Sequence, residues 1–146
     1  MLTHNDILDA IRKHGTDTYP EECCGFLLGS MTADGNYIVA VIPVRNRLET
    51  NRNRRFSISA DDFQDADLAA REKGWDIVGF YHSHPDHPAE PSAADLSEAT
   101  FPGYTYIIVS VIDHRPQEVT AWSLAPDRSR FETEPIEIIS EIPVTP

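Results

Sequence analysis

His82, Ser83 and His84 place two imidazoles at positions i and i+2, and on an extended segment such residues project from the same face. Asp95 follows eleven residues after His84. Imidazole nitrogen and carboxylate oxygen are donors suited to Zn²⁺, and a catalytic zinc site uses three protein ligands with the fourth place open. Two histidines and one aspartate meet that count, so the spacing predicts one Zn²⁺ per chain, held by His82, His84 and Asp95. Ser92-Ala93-Ala94-Asp95 has the form of a variant capping box, and a helix start there favours the ionised carboxylate that a metal needs. His87 lies in a proline-rich loop and is expected to be a bystander or to touch substrate. His4, His14 and His114 have no metal-like spacing and are expected at the surface.

A metal hydrolase also needs a group that takes a proton from water and hands it to the leaving amine, although coordination alone lowers the water pKa towards about 7. A carboxylate is the usual choice. Glu21, Glu22, Glu90 and Glu98 all qualify by type, and the residues themselves do not choose among them.

The elements that would position these groups read as an alternation of strands and helices. Apolar spacing near 3.6 through Ile7, Leu8 and Ile11 predicts a helix over 3–14, capped by Thr or Asn and ended at Gly15. A strand over 24–31, a turn at Ala33-Asp34-Gly35-Asn36 and a strand over Tyr37–Ile42 form a hairpin pattern. Arg45 to Asn53 should be an exposed loop. A short strand Arg55–Ile58 is expected next, then a helix over Asp61–Lys73 led by Ser59 or Ala60 and capped by Gly74. Trp75–His82 is short and almost continuously apolar, as a strand covered on both faces should be. After the loop of Pro85, Pro88 and Pro91 come a helix over 92–100 and strands near 104–112, 117–124 and 130–139. The fold class is α/β or α+β, one domain over residues 1–142 with a mixed sheet flanked by helices and a frayed tail at 143–146.

At 146 residues there is room for one core. No apolar run reaches the roughly 18 residues of a membrane span, and the N-terminus shows no secretory signal, so a cytoplasmic protein is expected. Twelve Lys and Arg against 24 Asp and Glu give a net charge of −12, which would repel a nucleic-acid backbone. Arg45, Arg47, Arg52, Arg54 and Arg55 form a local exception, either as a solvated loop or as a docking surface for an acidic partner, with Arg52 and Arg54 the candidate substrate contacts. Cys23 and Cys24 are adjacent, cannot easily bridge each other, and read as core residues of a buried strand.

Gly79-Phe80-Tyr81-His82-Ser83-His84-Pro85 followed by Ser92-Ala93-Ala94-Asp95 resembles the signature of the JAMM (MPN-plus) zinc metallopeptidase family, His-x-His-Pro then Ser-x-x-Asp. Upstream, Pro20-Glu21-Glu22-Cys23-Cys24-Gly25 resembles that family's other element, a glutamate at a strand start three residues before a glycine. The resemblance runs from about Ile7 to Phe131 and is closest to small bacterial members, since the chain is too compact for the insertions of eukaryotic ubiquitin-cleaving enzymes. It implies a cytidine-deaminase-like core, His82, His84 and Asp95 as zinc ligands, Glu22 as general acid/base, and Ser92 as a support for the oxyanion. It also implies hydrolysis of a peptide or isopeptide bond after the C-terminal Gly-Gly of a ubiquitin-like protein, such as a sulfur carrier. The non-enzyme alternative is an inactive MPN-type scaffold that only binds such a partner.

Overall fold

The structure is a computed structural model and describes residues 1–139. The expected tail at 143–146, and the end of the proposed domain, lie outside the described residues. In chain order the elements are β1 (Leu2–Thr3), α1 (Asn5–Thr18), β2 (Cys24–Thr32), β3 (Gly35–Val44), α2 (Ala60–Glu72), β4 (Asp76–Pro85), α3 (Ala93–Glu98), β5 (Thr105–Ile112), β6 (Arg115–Leu124), β7 (Phe131–Glu134) and β8 (Glu137–Ile138). The strands form one sheet in the order β7-β6-β5-β4-β2-β3-β1-β8. β4 and β5 run parallel, as β1 does with β3 and with β8, and the other pairs are antiparallel. β7 and β8 occupy opposite edges although only Pro135 and Ile136 separate them, a reach of about 10 Å for an extended chain. The mixed sheet therefore curls until its edges approach each other.

The period-2 pattern of the strands gives the single domain an apolar cluster on each face of its sheet, where chain length predicts one core. On one side Ile7 and Ile11 of α1 pack with Leu27, Ile38, Val78, Val109 and Val111. On the other, Ala66 and Ala70 of α2 pack with Phe26, Leu28 and Ile77, extended by Phe63 and Phe80. β4 carries a bulge: Leu27 pairs with Gly79 and Leu28 with Ile77, which leaves Val78 as the extra residue. That insertion shifts the alternation, so Ile77 and Phe80 both join the α2 side while Val78 and Tyr81 join the α1 side. Beyond the bulge His82 and His84 continue the face of Phe80. Gly79 is required here because a Cβ would fall 1.9 Å from the Thr105 carbonyl oxygen.

Several boundaries depart from the sequence expectations. α1 continues through Gly15 to Thr18, because this glycine is where the helix meets the sheet: a Cβ would lie 3.1 Å from Val111 Cγ2 and 3.2 Å from Val109 Cγ1. Its N-cap is His4, which offers no side-chain cap; the Thr3 hydroxyl donates instead to the Ile38 carbonyl. Arg55–Ile58 is not a strand, since its backbone is paired with Asn46 and Arg47 rather than with a sheet edge. The strand expected over 130–139 is split by Pro135 into β7 and β8. α2 matches its expectation: the Ser59 hydroxyl accepts the Asp62 N–H, and Gly74 ends the turn at φ +75°.

Candidate metal centre

The C-terminal end of β4 is buried, and there the two histidines lie. His82 is 4% exposed and His84 7%. Their Nε2 atoms stand 3.1 Å apart, and Asp95 Oδ2 lies 3.2 Å from that of His82 and 3.0 Å from that of His84. Tetrahedral zinc bonds of about 2.0–2.1 Å imply ligand separations of about 3.3 Å, so this nearly equilateral triangle of donors fits Zn²⁺. Two imidazole nitrogens and a carboxylate also form the right donor set, and these three residues are the one such group of His, Cys, Asp and Glu among the described residues.

Each of these three side chains is held by a second contact. His84 Nδ1 lies 2.9 Å from the Pro88 carbonyl, which only an Nδ1–H can satisfy, so the Nε2 lone pair faces the triangle. His82 is stacked on Phe56 at 4.7 Å between ring centroids. Asp95 belongs to a complete capping box: its backbone N–H donates to Ser92 Oγ at 3.1 Å, and its Oδ2 accepts the Ser92 N–H at 2.9 Å. Burial lowers the His82 pKa. For His84 burial acts in the same direction, but Asp95 and the Pro88 carbonyl outweigh it and raise the value. Asp95 is pushed by burial towards neutrality and held well below the usual carboxylate range by the two imidazoles.

Glu22 is the carboxylate that the fold brings to this group. It is 4% exposed, whereas the side chain of Glu21 is 49% exposed. Burial pushes its pKa up to about 8, with His84 opposing and Asp95 and Glu98 adding to the rise. Its Oε1 is buried without a hydrogen-bond partner, and a buried polar atom left in that state is the mark of a missing partner. The backbone around it is tied down on every side. Glu22 N–H donates to Arg52 O at 2.7 Å, Asn46 Nδ2 donates to Glu22 O at 3.4 Å, and Cys23 exchanges bonds with Ser83, the residue between the two histidines, at 2.8 and 3.2 Å.

Two clefts flank the triangle. One, of about 410 Å³, is lined by Phe56, Phe63, Phe80, Phe101 and Tyr106 and reaches His82, Asp95 and Glu98. The other, of about 530 Å³, is lined by Glu22, His84, His87, Glu90, Ser92, Arg54 and Arg55. His87 and Arg54 are thus brought to the site, while Arg52 packs outside it, donating to the Leu48 carbonyl and lying 3.9 Å from Glu21. Arg47 forms a two-pronged pair with Asp62 at 2.9 Å, and Arg55 pairs with Glu98. Cys23 and Cys24 are free, buried core residues with pKa values pushed by burial up to about 12. Of the three histidines expected at the surface, His4 and His14 are half-buried, hydrogen-bonded to Tyr37 and Tyr81 at 2.8 Å, while His114 is exposed and packs at a tilt against Tyr19.

Sequence reasoning missed three contributors: Phe56, Ser83 and Asn46. Asn46 uses its whole amide, donating to Glu22 O and Arg55 O and accepting from Leu48 N and Ser57 N. An apolar residue among arginines and one of three Asn in a polar loop carry no local signal for such roles.

Residues 4–125 match the family described as prokaryotic homologs of the JAB domain. A desampylase of Haloferax volcanii is 34% identical over 106 residues, 73% of this chain and 74% of its own length. A CysO-cysteine peptidase of Mycobacterium tuberculosis is 27% identical over 97% of this chain and 92% of its own. A solution structure of a Salinibacter ruber protein is 57% identical, covers 100% of this chain and 95% of its own, and superposes with a TM-score of 0.77. With its His-x-His-Pro and Ser-x-x-Asp residues gathered at one strand end and its sheet matched along the chain, the protein belongs to the JAB/MPN family, among the prokaryotic homologues.

Proposed function

We propose that this chain is a cytoplasmic zinc-dependent peptidase or isopeptidase that hydrolyses the bond after the C-terminal Gly-Gly of a ubiquitin-like protein of the sulfur-carrier type. The observation that carries the reading is the buried, unpartnered Glu22 Oε1 in the cleft that also holds His84 and Ser92. A fold-supporting glutamate would be paired, and a scaffold has no use for a lone carboxyl oxygen. The names of the desampylase and CysO-cysteine peptidase relatives support the substrate class.

His82, His84 and Asp95 would hold one Zn²⁺, which when bound supplies Lewis acidity to water and to the scissile carbonyl. Glu22, taken as the general acid/base, accepts a proton from the attacking water and returns it to the leaving amine. In the metal-free protein burial pushes this carboxyl up to about 8, so its environment makes it a group that holds a proton readily and can give it back. Ser92 already accepts the Asp95 N–H through its lone pair, so its hydroxyl hydrogen is free to donate to the carbonyl oxygen as negative charge develops there. The ties through Asn46, Arg52 and Ser83 fix Glu22 before substrate arrives.

Incubating the zinc-supplied protein with a ubiquitin-fold carrier extended beyond its Gly-Gly, and following product masses, tests the reading. One zinc per chain and release of the extension are expected, with metal lost from His82→Ala and Asp95→Ala. An intact substrate with stoichiometric zinc would leave the scaffold alternative standing.

A further inference from the structure

The Nε2 lone pair of His84 faces the triangle only while the Pro88 carbonyl takes the Nδ1–H. That carbonyl belongs to residues 86–92, which are neither helix nor strand, so no ladder holds it. Instead, three successive carbonyls accept side-chain donors from three different strands. Ser110 Oγ of β5 donates to His87 O at 2.6 Å, His84 Nδ1 of β4 to Pro88 O at 2.9 Å, and Thr120 Oγ1 of β6 to Ala89 O at 2.6 Å. Trp122 Nε1–H donates to Thr120 Oγ1 at 2.8 Å, which occupies a lone pair and leaves the hydroxyl hydrogen for the loop. Register explains the placement. Ser110 pairs with His84, and Ile108 pairs with both His82 and Thr120, so Thr120 stands two strands from His82, roughly 9–10 Å at strand spacing. Neither hydroxyl residue lines either of the two clefts.

A carbonyl aims where its peptide plane points. The planes on either side of the Pro88–Ala89 peptide are pinned through the His87 and Ala89 carbonyls, and the Pro88 ring fixes φ between them. The Asp86 N–H, donating to Val111 O at 2.7 Å, anchors the start of the loop, and Ala89 is fully buried. The Pro88 carbonyl can therefore turn away from His84 only by straining or breaking a flanking bond. Outer partners of a metal-binding imidazole change metal affinity by about 10–100-fold when removed. A backbone carbonyl cannot be removed by substitution, but the hydroxyls that hold its loop can. Resting on the metal-binding part of the reading above, we propose that Thr120 and Ser110 are positioning residues. By holding the loop they keep His84 in its Nδ1–H tautomer with Nε2 aimed at the triangle, and so set how firmly a divalent ion is held there.

Thr120→Val keeps the shape and removes the hydroxyl, Thr120→Ser keeps the hydroxyl, and Ser110→Ala removes the second anchor. Thr32→Val is the control, since its hydroxyl also donates to a backbone carbonyl, Gly35 O at 2.6 Å, but at the β2–β3 turn. Two quantities are measured: the tautomer of the His84 ring, by NMR of isotope-labelled, metal-free protein at a pH where the imidazole is neutral, and the zinc dissociation constant, by competition with a chelator. Wild type, Thr120→Ser and Thr32→Val are expected to share a single Nδ1–H tautomer and the same zinc affinity. Thr120→Val is expected to exchange between tautomers and to bind zinc about tenfold more weakly, the lower end of that range because the hydroxyl acts through the loop. Ser110→Ala should fall between, because the His87 it releases is exposed to water. A purely structural role would lower the melting temperature of Thr120→Val, as of Thr32→Val, and move neither quantity, which overturns the proposal. An unaltered His84 ring in Thr120→Val overturns it as well, and so does unaltered zinc affinity in a protein whose wild type binds zinc. Tautomer exchange in Thr120→Val, with no zinc bound by wild type, keeps the anchoring role and overturns the metal site.

Discussion

The side of β4 that faces α1 and the side that faces α2 are built for different ends. Towards α1, Val78, Tyr81 and Ser83 are all fully buried, Gly15 lets the helix approach to contact distance, and Tyr81 packs over Gly25. Towards α2, Phe80 is covered by Phe63 and Phe101, and the strand then continues into His82, stacked on Phe56, and His84. One face of a single strand thus closes a core, and the other brings two imidazoles to a pair of clefts. Mutations should separate the two: those on the first face should cost stability, those on the second should cost chemistry.

The largest effect is expected on the α1 face. A Cβ at Gly25 would sit 2.3 Å from the Tyr81 ring, which is itself held by His14 at 2.8 Å. Overpacking that forces a buried aromatic ring and its neighbours to move costs typically about 1–3 kcal/mol and occasionally more. Because the clash here is far inside contact distance, Gly25→Ala should fall at or above the top of that range. Denaturant unfolding measures it, and a loss below about 1 kcal/mol would show that the α1 face is looser than drawn.

Glu22→Gln probes the other face. Zinc content should stay at one per chain while kcat falls by about two to four powers of ten, the usual loss on removing a general acid/base. The same variant should make the metal-free protein more stable in a pH-dependent way. In the wild type the folded-state pKa is raised from 4.5 to about 8, so the folded chain keeps a proton that the unfolded chain releases. Below pH 4.5 both states are protonated and the group is neutral to stability. Between 4.5 and 8 stability falls as pH rises, by a total of the order of a few kcal/mol. Gln has no such dependence, so the Tm advantage of Glu22→Gln in chelator should grow from pH 5 to pH 8. A constant difference across that interval would mean that Glu22 is ionised in the fold.

What could be read from the chain alone divides along the same line. His82 and His84 were readable because period 2 and a run of apolar residues are local properties, and Asp95 because a helix start has a local signature. Spacing did not separate Glu22 from Glu21; the family resemblance favoured Glu22, and the fold buries it while leaving its neighbour half exposed. The bulge at Val78 depends on how β2 pairs with β4, a non-local fact that no window of β4 contains. The sequence pattern around Phe56 predicts a short strand, yet the segment is irregular and pinned by Asn46, whose four partners are backbone groups scattered from Glu22 to Ser57. The arginine cluster read as an island of charge resolves into individual pairings that depend on where α2 and α3 lie in space.

The finest comparison on the α2 side sets its two N-caps against each other. Ser59 and Ser92 do the same local work: each hydroxyl accepts the N–H three residues on, from Asp62 at 3.0 Å and from Asp95 at 3.1 Å. Removing such a cap costs about 1 kcal/mol. Ser59→Ala and Ser92→Ala should therefore show comparable small losses in stability. Their effects on chemistry should differ, because Ser92 lines the cleft with Glu22 and Ser59 lines neither cleft. Loss of a hydroxyl that donates to the developing oxyanion lowers kcat by about 10²–10³ when that donor acts alone. In the proposed reaction a bound metal would share the load, so the lower end is expected for Ser92→Ala. Ser59→Ala should keep wild-type kcat and zinc content. A Ser92→Ala protein with normal kcat and only the stability loss would reduce Ser92 to a helix cap, and the oxyanion would then rest on the metal alone.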